Sequence, residues 1–262
     1  MTKIFDKCPR VSARKNKMTD MITIESHIDR ILKETFFRLY SCYPQIGKEC
    51  LDNSNNTRLI FPPYGEDRNG EARVSEQELR FTFVEAFINH CKKCEEAEGL
   101  RYSVETPTNG KYRFKNTDNP HIYDNGISGN MDLVIHDKDG ERLCLIEFKA
   151  NTPDPREIEK DLVKLTNCEE CDRETGKPIP RYFIGMVKST QPERTKNSIK
   201  EKLDEIRVKP KDERNSEQVH VIFFNLDDNS ILYKEYFKFN NLSGENIPPQ
   251  DPYTTWLNSI QQ

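Results

Sequence analysis

Two carboxylates and an ammonium group stand at a spacing that brings them together. Asp132 is followed after fourteen residues by Glu147-Phe148-Lys149, and apolar runs on either side flank Asp137-Lys-Asp-Gly140. Apolar runs around an Asp-Gly are a strong hairpin signal. With Asp139-Gly140 as a two-residue turn, Lys138 faces Glu141 and Asp132 lies across from Glu147. Side chains alternate along a strand, so Glu147 and Lys149 share a face with Asp132, while Cys144, Ile146 and Phe148 take the other. Ions among apolar neighbours are costly unless paired or metal-bound. One carboxylate can pair with Lys149, and the second leaves a net negative pocket, which suits a hard divalent cation with oxygen ligands. Mg2+ held by one or two carboxylates and a substrate phosphate is the usual form of such a site. A structural ion pair at a sheet edge is the alternative for the same residues.

The elements that must position these groups are legible around them. Ser75-Glu-Gln-Glu78 is a capping-box pattern, and Leu79, Phe83, Ala86, Phe87 and His90 follow it at helical spacing to about Cys94. Short strands are expected at 100–105 and 111–114, separated by a Pro-Thr-Asn-Gly turn. After the hairpin, Pro153-Asp-Pro155 opens a helix with Ile158, Leu162 and Leu165 on one side, and Arg181–Val187 reads as a strand. A charged helix at 191–208 and a second, peripheral hairpin, Val219–Phe224 with Ile231–Phe237, complete the pattern. Upstream, residues 23–41 carry Ile24, Ile28, Ile31, Leu32, Phe36 and Leu39 at helical spacing. The order predicts an α/β fold whose central sheet is covered on both faces. Three regions follow: a basic arm, helix and polar connector over 1–70, a main domain over 71–240, and a tail over 241–262 with the single Trp256.

Asp132 with Glu147-Phe-Lys149, a Glu-bearing helix upstream and an amphipathic helix downstream, resembles the PD-(D/E)XK nuclease superfamily. The resemblance covers roughly 72–190, and Met131 stands where the motif's name has Pro. It implies a restriction-endonuclease-like αβββαβ core with a mixed sheet, here with an N-terminal helical extension. It also implies that Asp132 and Glu147 hold Mg2+, with Mn2+ as a substitute. Lys149 would orient or help deprotonate the attacking water and stabilise charge in the transition state. A helix glutamate often completes the site in this superfamily. Helical phase favours Glu76, which falls in the arc of Leu79, Phe83 and Phe87, over Glu78 and Glu85. Glu76 as an acidic residue favoured by the helix dipole is the alternative. Lys160, Asp161 and Lys164 lie on the following helix, where Lys164 is in reach of the site or a phosphate, or is solvated. The implied activity is cleavage of DNA in a restriction or phage-defence setting. A structure-specific repair or junction-resolving nuclease, and a non-catalytic nucleic-acid-binding subunit of the same fold, are the alternatives. A homodimer or an accessory defence subunit would be the protein partner.

The chain has 262 residues, 40 Lys and Arg against 44 Asp and Glu, and a net charge of −4. No apolar run approaches the roughly 20 residues of a spanning helix, and the start lacks a signal-peptide core, so a cytoplasmic protein without membrane association is expected. Six basic residues in 1–17, and nine in 188–214 against six acidic, are the candidate phosphate contacts. The second stretch reads equally as a solvated helix laced with i,i+4 pairs. Eight cysteines include two C-x-x-C pairs, Cys91/Cys94 and Cys168/Cys171. Each pair falls at the end of a core helix, where the four thiols would share a structural Zn2+, with His90 as a less favoured replacement ligand, or remain ordinary thiols. Walker A and dinucleotide-binding glycine loops are absent.

Overall fold

The computed structural model describes residues 17–43, 59–62, 72–114, 120–172, 175–209 and 211–240. The expected basic arm, most of the polar connector and the tail lie outside the described residues. Along the chain run α1 (Lys17–Cys42), α2 (Glu76–Lys93), a 3-10 turn (Glu95–Ala97), β1 (Arg101–Arg113), β2 (His121–Ile122), β3 (Ile127–His136) and β4 (Arg142–Ala150). Then come α3 (Pro155–Leu165), β5 (Arg181–Val187), α4 (Pro192–Arg207), β6 (Val219–Asn225) and β7 (Ser230–Phe237). The strands form one mixed sheet in the order β2-β1-β3-β4-β5-β6-β7. The β4-β5-β6 centre is parallel and the flanking pairs are antiparallel. Among the described residues no helix is long and apolar enough to cross a membrane.

Alternation along the strands divides the core in two. Leu133, Ile135, Cys144, Ile146, Phe148, Tyr182 and Ile184 meet α1 and α2 on one face. Val134, Leu145, Phe183 and Phe223 meet Ile158, Leu162, Ile199 and Leu203 of α3 and α4 on the other. The helix expected at 23–41 begins earlier, at Lys17, and shares the sheet's core. Its Phe36 stacks on Phe224 of β6 with ring centroids 4.5 Å apart. Ser75 caps α2 through the box the sequence predicts, its N–H donating to Glu78 at 2.8 Å. Asp154 caps α3, its side chain accepting from Arg156 N–H at 2.8 Å.

Three expectations are corrected. The Pro107-Thr-Asn-Gly110 stretch is not a turn between two strands but part of one long β1, with an irregular register between Pro107 and Lys111. Its polar groups find tertiary partners instead: Gly110 N–H donates to Glu170 at 2.8 Å, and Thr108 Oγ1 accepts from Gly129 N–H at 2.9 Å. The second hairpin is not peripheral, since β6 pairs in parallel with β5 and is buried along its length. The β3–β4 turn is wider than two residues. Asp137 N–H bonds Glu141 O at 3.0 Å around Lys138-Asp-Gly140, with Gly140 at φ 87°, a three-residue loop with a left-handed third position. That loop pairs His136 with Arg142, and a bulge at Leu143 then pairs Ile135 with Cys144 and Leu133 with Ile146. Carried one residue further, this register sets Asp132 level with Glu147, as the two-residue turn would have done.

Candidate functional site

Beyond Leu133 and Ile146 the β3–β4 ladder stops. Asp132 stands at this fork, its Oδ2 accepting the Phe148 N–H at 2.8 Å where a strand carbonyl would otherwise serve. Its Oδ1 accepts from Arg80 of α2, also at 2.8 Å, and the same guanidinium reaches Glu105 at 2.8 Å. Glu105 sits across β1 in the left-handed region, φ 48°. The Asp132 carboxylate is therefore turned into the gap between strands, towards α2. Glu147 and Lys149 alternate with Phe148 and point to the α3 side. The common face expected for all three groups is thus replaced by a fork.

The charged groups form one chain of contacts. Lys149 Nζ lies 2.8 Å from Asp161 Oδ2 and 3.4 Å from Glu76 Oε1. Lys164 Nζ lies 2.5 Å from Glu147 Oε1, 3.0 Å from Asp161 Oδ1 and 2.8 Å from the Asn130 carbonyl. Asn151, left-handed at φ 62°, ties the end of β4 to the chain ahead of α2: its N–H donates to Met186 O at 2.7 Å and its side-chain amide to Val74 O at 3.1 Å. That tie brings Glu76 to Lys149. Each sequence-predicted residue (Glu76, Asp132, Glu147 and Lys149) is in or beside this network. Lys160 is not, its ammonium lying over the Phe114 ring at 5.2 Å.

Two members have no role assigned from the sequence. Asp161 is the hub, and its signal was present: it interrupts the apolar stripe Ile158, Leu162, Leu165 on the inner side of α3. Arg80 had no such signal, since its partners come from β1 and β3.

The electrostatics carry an excess of negative charge. Glu76, Asp132, Glu147 and Asp161, with Glu105 on the outer side of Arg80, face Arg80, Lys149 and Lys164, two cations short of balance. Burial pushes Glu147 well above the usual carboxylate range, and Asp161 and Asp132 push the same way against Lys164. Burial also raises Glu76, with Lys149 opposing. Burial would lower Lys149 and Lys164 and raise Asp161, but their mutual attraction prevails. Both lysines are held above the ordinary value, and Asp161 is held below. The surplus thus collects on Glu147. The surplus has the sign that a divalent cation offsets, but no three of these carboxylates bring ligand atoms within 4.8 Å of one another. In the arrangement seen, the lysines stand between the carboxylates.

A second cluster lies at the other end of α2. Among the described residues, His27, His90 and Cys94 each offer a ligand atom within 4.8 Å of the others, a group able to bind a metal ion. From the sequence His90 is a replacement zinc ligand at most, and nothing local marks His27, whose partner is 63 residues away. The four-cysteine zinc site is not formed. Cys91 and Cys94 end α2 on one face of the sheet, whereas Cys168 and Cys171 follow α3, which packs on the other. Among the described residues no cysteine is in a disulfide. In the basic stretch 188–214, Lys200 pairs with Asp204 and Lys209 with Glu205 at i,i+4 spacing, Lys209 and Lys211 also reach Glu159 of α3, and Arg214 pairs with Asp212.

Compared with family models, curated proteins and solved structures, the chain matches none.

Proposed function

We propose that this chain is a divalent-metal-dependent endonuclease of the PD-(D/E)XK kind that hydrolyses DNA phosphodiester bonds. The observation that carries this reading is the fork at Asp132, where Glu147 and Lys149 join carboxylates from α2 and α3 in a buried network with surplus negative charge. The order α2, β1–β4, α3, β5 supports an αβββαβ core with β2 as a two-residue addition. Asp132 and Glu147, with Glu76 beside them, would hold Mg2+, or Mn2+ in its place. A bound divalent ion supplies charge neutralisation at the scissile phosphate and acidifies water.

The chain's own residues then divide the remaining work. Lys149, kept protonated by Asp161 and Glu76, is a donor that orients water and stabilises charge on the phosphoryl oxygens rather than a base. Lys164 and Asp161 are positioning residues, fixing Glu147 and Lys149. Arg80 does the same for Asp132. Restriction or phage defence is the setting this reading implies.

Supercoiled plasmid incubated with Mg2+ and purified protein tests it. Wild type is expected to nick or linearise the plasmid, and Asp132→Asn and Lys149→Met to lose that activity. Equal cleavage by all three would sink the proposal. Linear duplex beside a four-way junction separates a defence nuclease from a junction-resolving one. A second reading, a non-catalytic DNA-binding subunit, is favoured by the cation on every carboxylate of the network. It predicts DNA retention by wild type and Asp132→Asn alike, with no cleavage by either.

A further inference from the structure

We propose that His27, His90 and Cys94 form a site for a borderline divalent transition metal, Zn2+ foremost, that clamps α1 to α2. It does not rest on the nuclease reading. Two imidazoles and a thiol are the donors that Zn2+ prefers, whereas Mg2+ prefers carboxylates and water. The ligand atoms already lie within 4.8 Å of one another. His27 Nδ1 and His90 Nε2 are 2.8 Å apart, with the rings edge-to-face at 60°. In a tetrahedral site with Zn–N bonds of about 2.0–2.1 Å the nitrogens stand about 3.3 Å apart, so the rings need part only by about half an ångström.

His27 is 6% exposed, and its Nδ1, the ring nitrogen that faces His90, is the one offered to the ion.

Cys94 supplies what a built site needs. It caps α2, its N–H bonding His90 O at 3.0 Å, which places it one helical turn beyond His90. Its Sγ donates to Glu96 at 3.0 Å. Binding deprotonates the thiol, the proton passing to solvent, and the fourth position goes to Glu96 or water. Cys94 also borders a surface cleft of about 680 Å3 with Ile88, Cys91 and Tyr102, on the thiol's side of the cluster.

The test uses the full chain without a histidine tag. Titration with Zn2+ against a chromophoric chelator is expected to give one tight equivalent per chain. Co2+ in its place should show a thiolate-to-metal charge-transfer band with the intense visible bands of four-coordination. Cys94→Ser should abolish the charge-transfer band. His27→Ala and His90→Ala should each weaken Zn2+ by more than the tenfold to hundredfold (about 10- to 100-fold) that loss of a mere outer-shell partner costs. Cys168→Ser with Cys171→Ser should change nothing. Absence of a thiolate–Co2+ spectrum in the wild-type chain overturns the proposal without any variant having to fold. So does Zn2+ binding that survives all three ligand substitutions.

Discussion

Asp161 Oδ2 of α3 and Lys149 Nζ of β4 lie 2.8 Å apart, and the other oxygen of the same carboxylate holds Lys164 at 3.0 Å. One buried carboxylate thus fixes two lysines. Removing one partner of a buried ionic set costs about 3–5 kcal/mol, because it leaves uncompensated charge. Asp161→Asn is therefore expected to lower unfolding free energy by about 3 kcal/mol, read from urea melts. A loss below a quarter of that would show the hub to be dispensable.

Lys164 and Glu147 should be energetically coupled. Lys164→Met strands Glu147 and destabilises, whereas Lys164→Met with Glu147→Gln removes the charge that would be stranded. A double-mutant cycle should give a coupling of roughly 1–3 kcal/mol. Additive losses would contradict the contact.

The raised Glu147 sets a pH dependence. Its folded value lies above the ordinary 4.5, so its contribution to stability is full below pH 4.5 and is lost as pH rises towards the folded value. Asp161, held below 3.8, contributes in the opposite sense: its stability is present above that value and is lost on acidification beneath it. Metal-free protein should therefore lose stability as pH rises above 4.5, with a slope of at most about 1.4 kcal/mol per pH unit for this one proton. Glu147→Gln should flatten that limb and leave the acid limb in place.

Divalent cation should act on the same group. Mg2+ or Ca2+ is expected to raise the thermal midpoint of wild type and to tighten duplex DNA binding, measured with Ca2+ to prevent turnover. Glu147→Gln should blunt both responses. Metal-independent DNA affinity would count against the site as assigned.

On the fold itself, a Cβ on Gly185 of β5 would overlap the Phe223 ring of β6. Gly185→Ala should cost about 1–3 kcal/mol by overpacking, measurable in the same melts.

The legible parts of the molecule were those whose partners lie close in sequence. The α2 cap joins Ser75 to Glu78, whereas the hairpin register agrees with the two-residue-turn reading only because the bulge at Leu143 offsets the third loop residue. Asp161 was visible only as a charge inside an apolar stripe, and nothing local says which groups it meets. His27 and His90 are brought together by the packing of α1 on α2, which no periodicity encodes. The Pro-Thr-Asn-Gly stretch misled because its turn propensity is outweighed by Glu170 on the Gly110 N–H and by the Gly129 N–H on Thr108, contacts supplied by the rest of the fold. The position of β6 beside β5 was likewise fixed by a parallel crossover through α4, not by its hairpin with β7.

The loop at Lys138–Gly140 and the bulge at Leu143 have opposite effects on parity. The first shifts the pairing by one residue, and the second shifts it back. A single deletion at either place would carry Phe148 to the side now holding Glu147, and Glu147 into the core beneath α2. Length changes in this hairpin are therefore tolerable only in compensating pairs, and the chain's reading frame of faces is set more than ten ångströms (~3.3 Å per residue over the strand) from the carboxylates it serves.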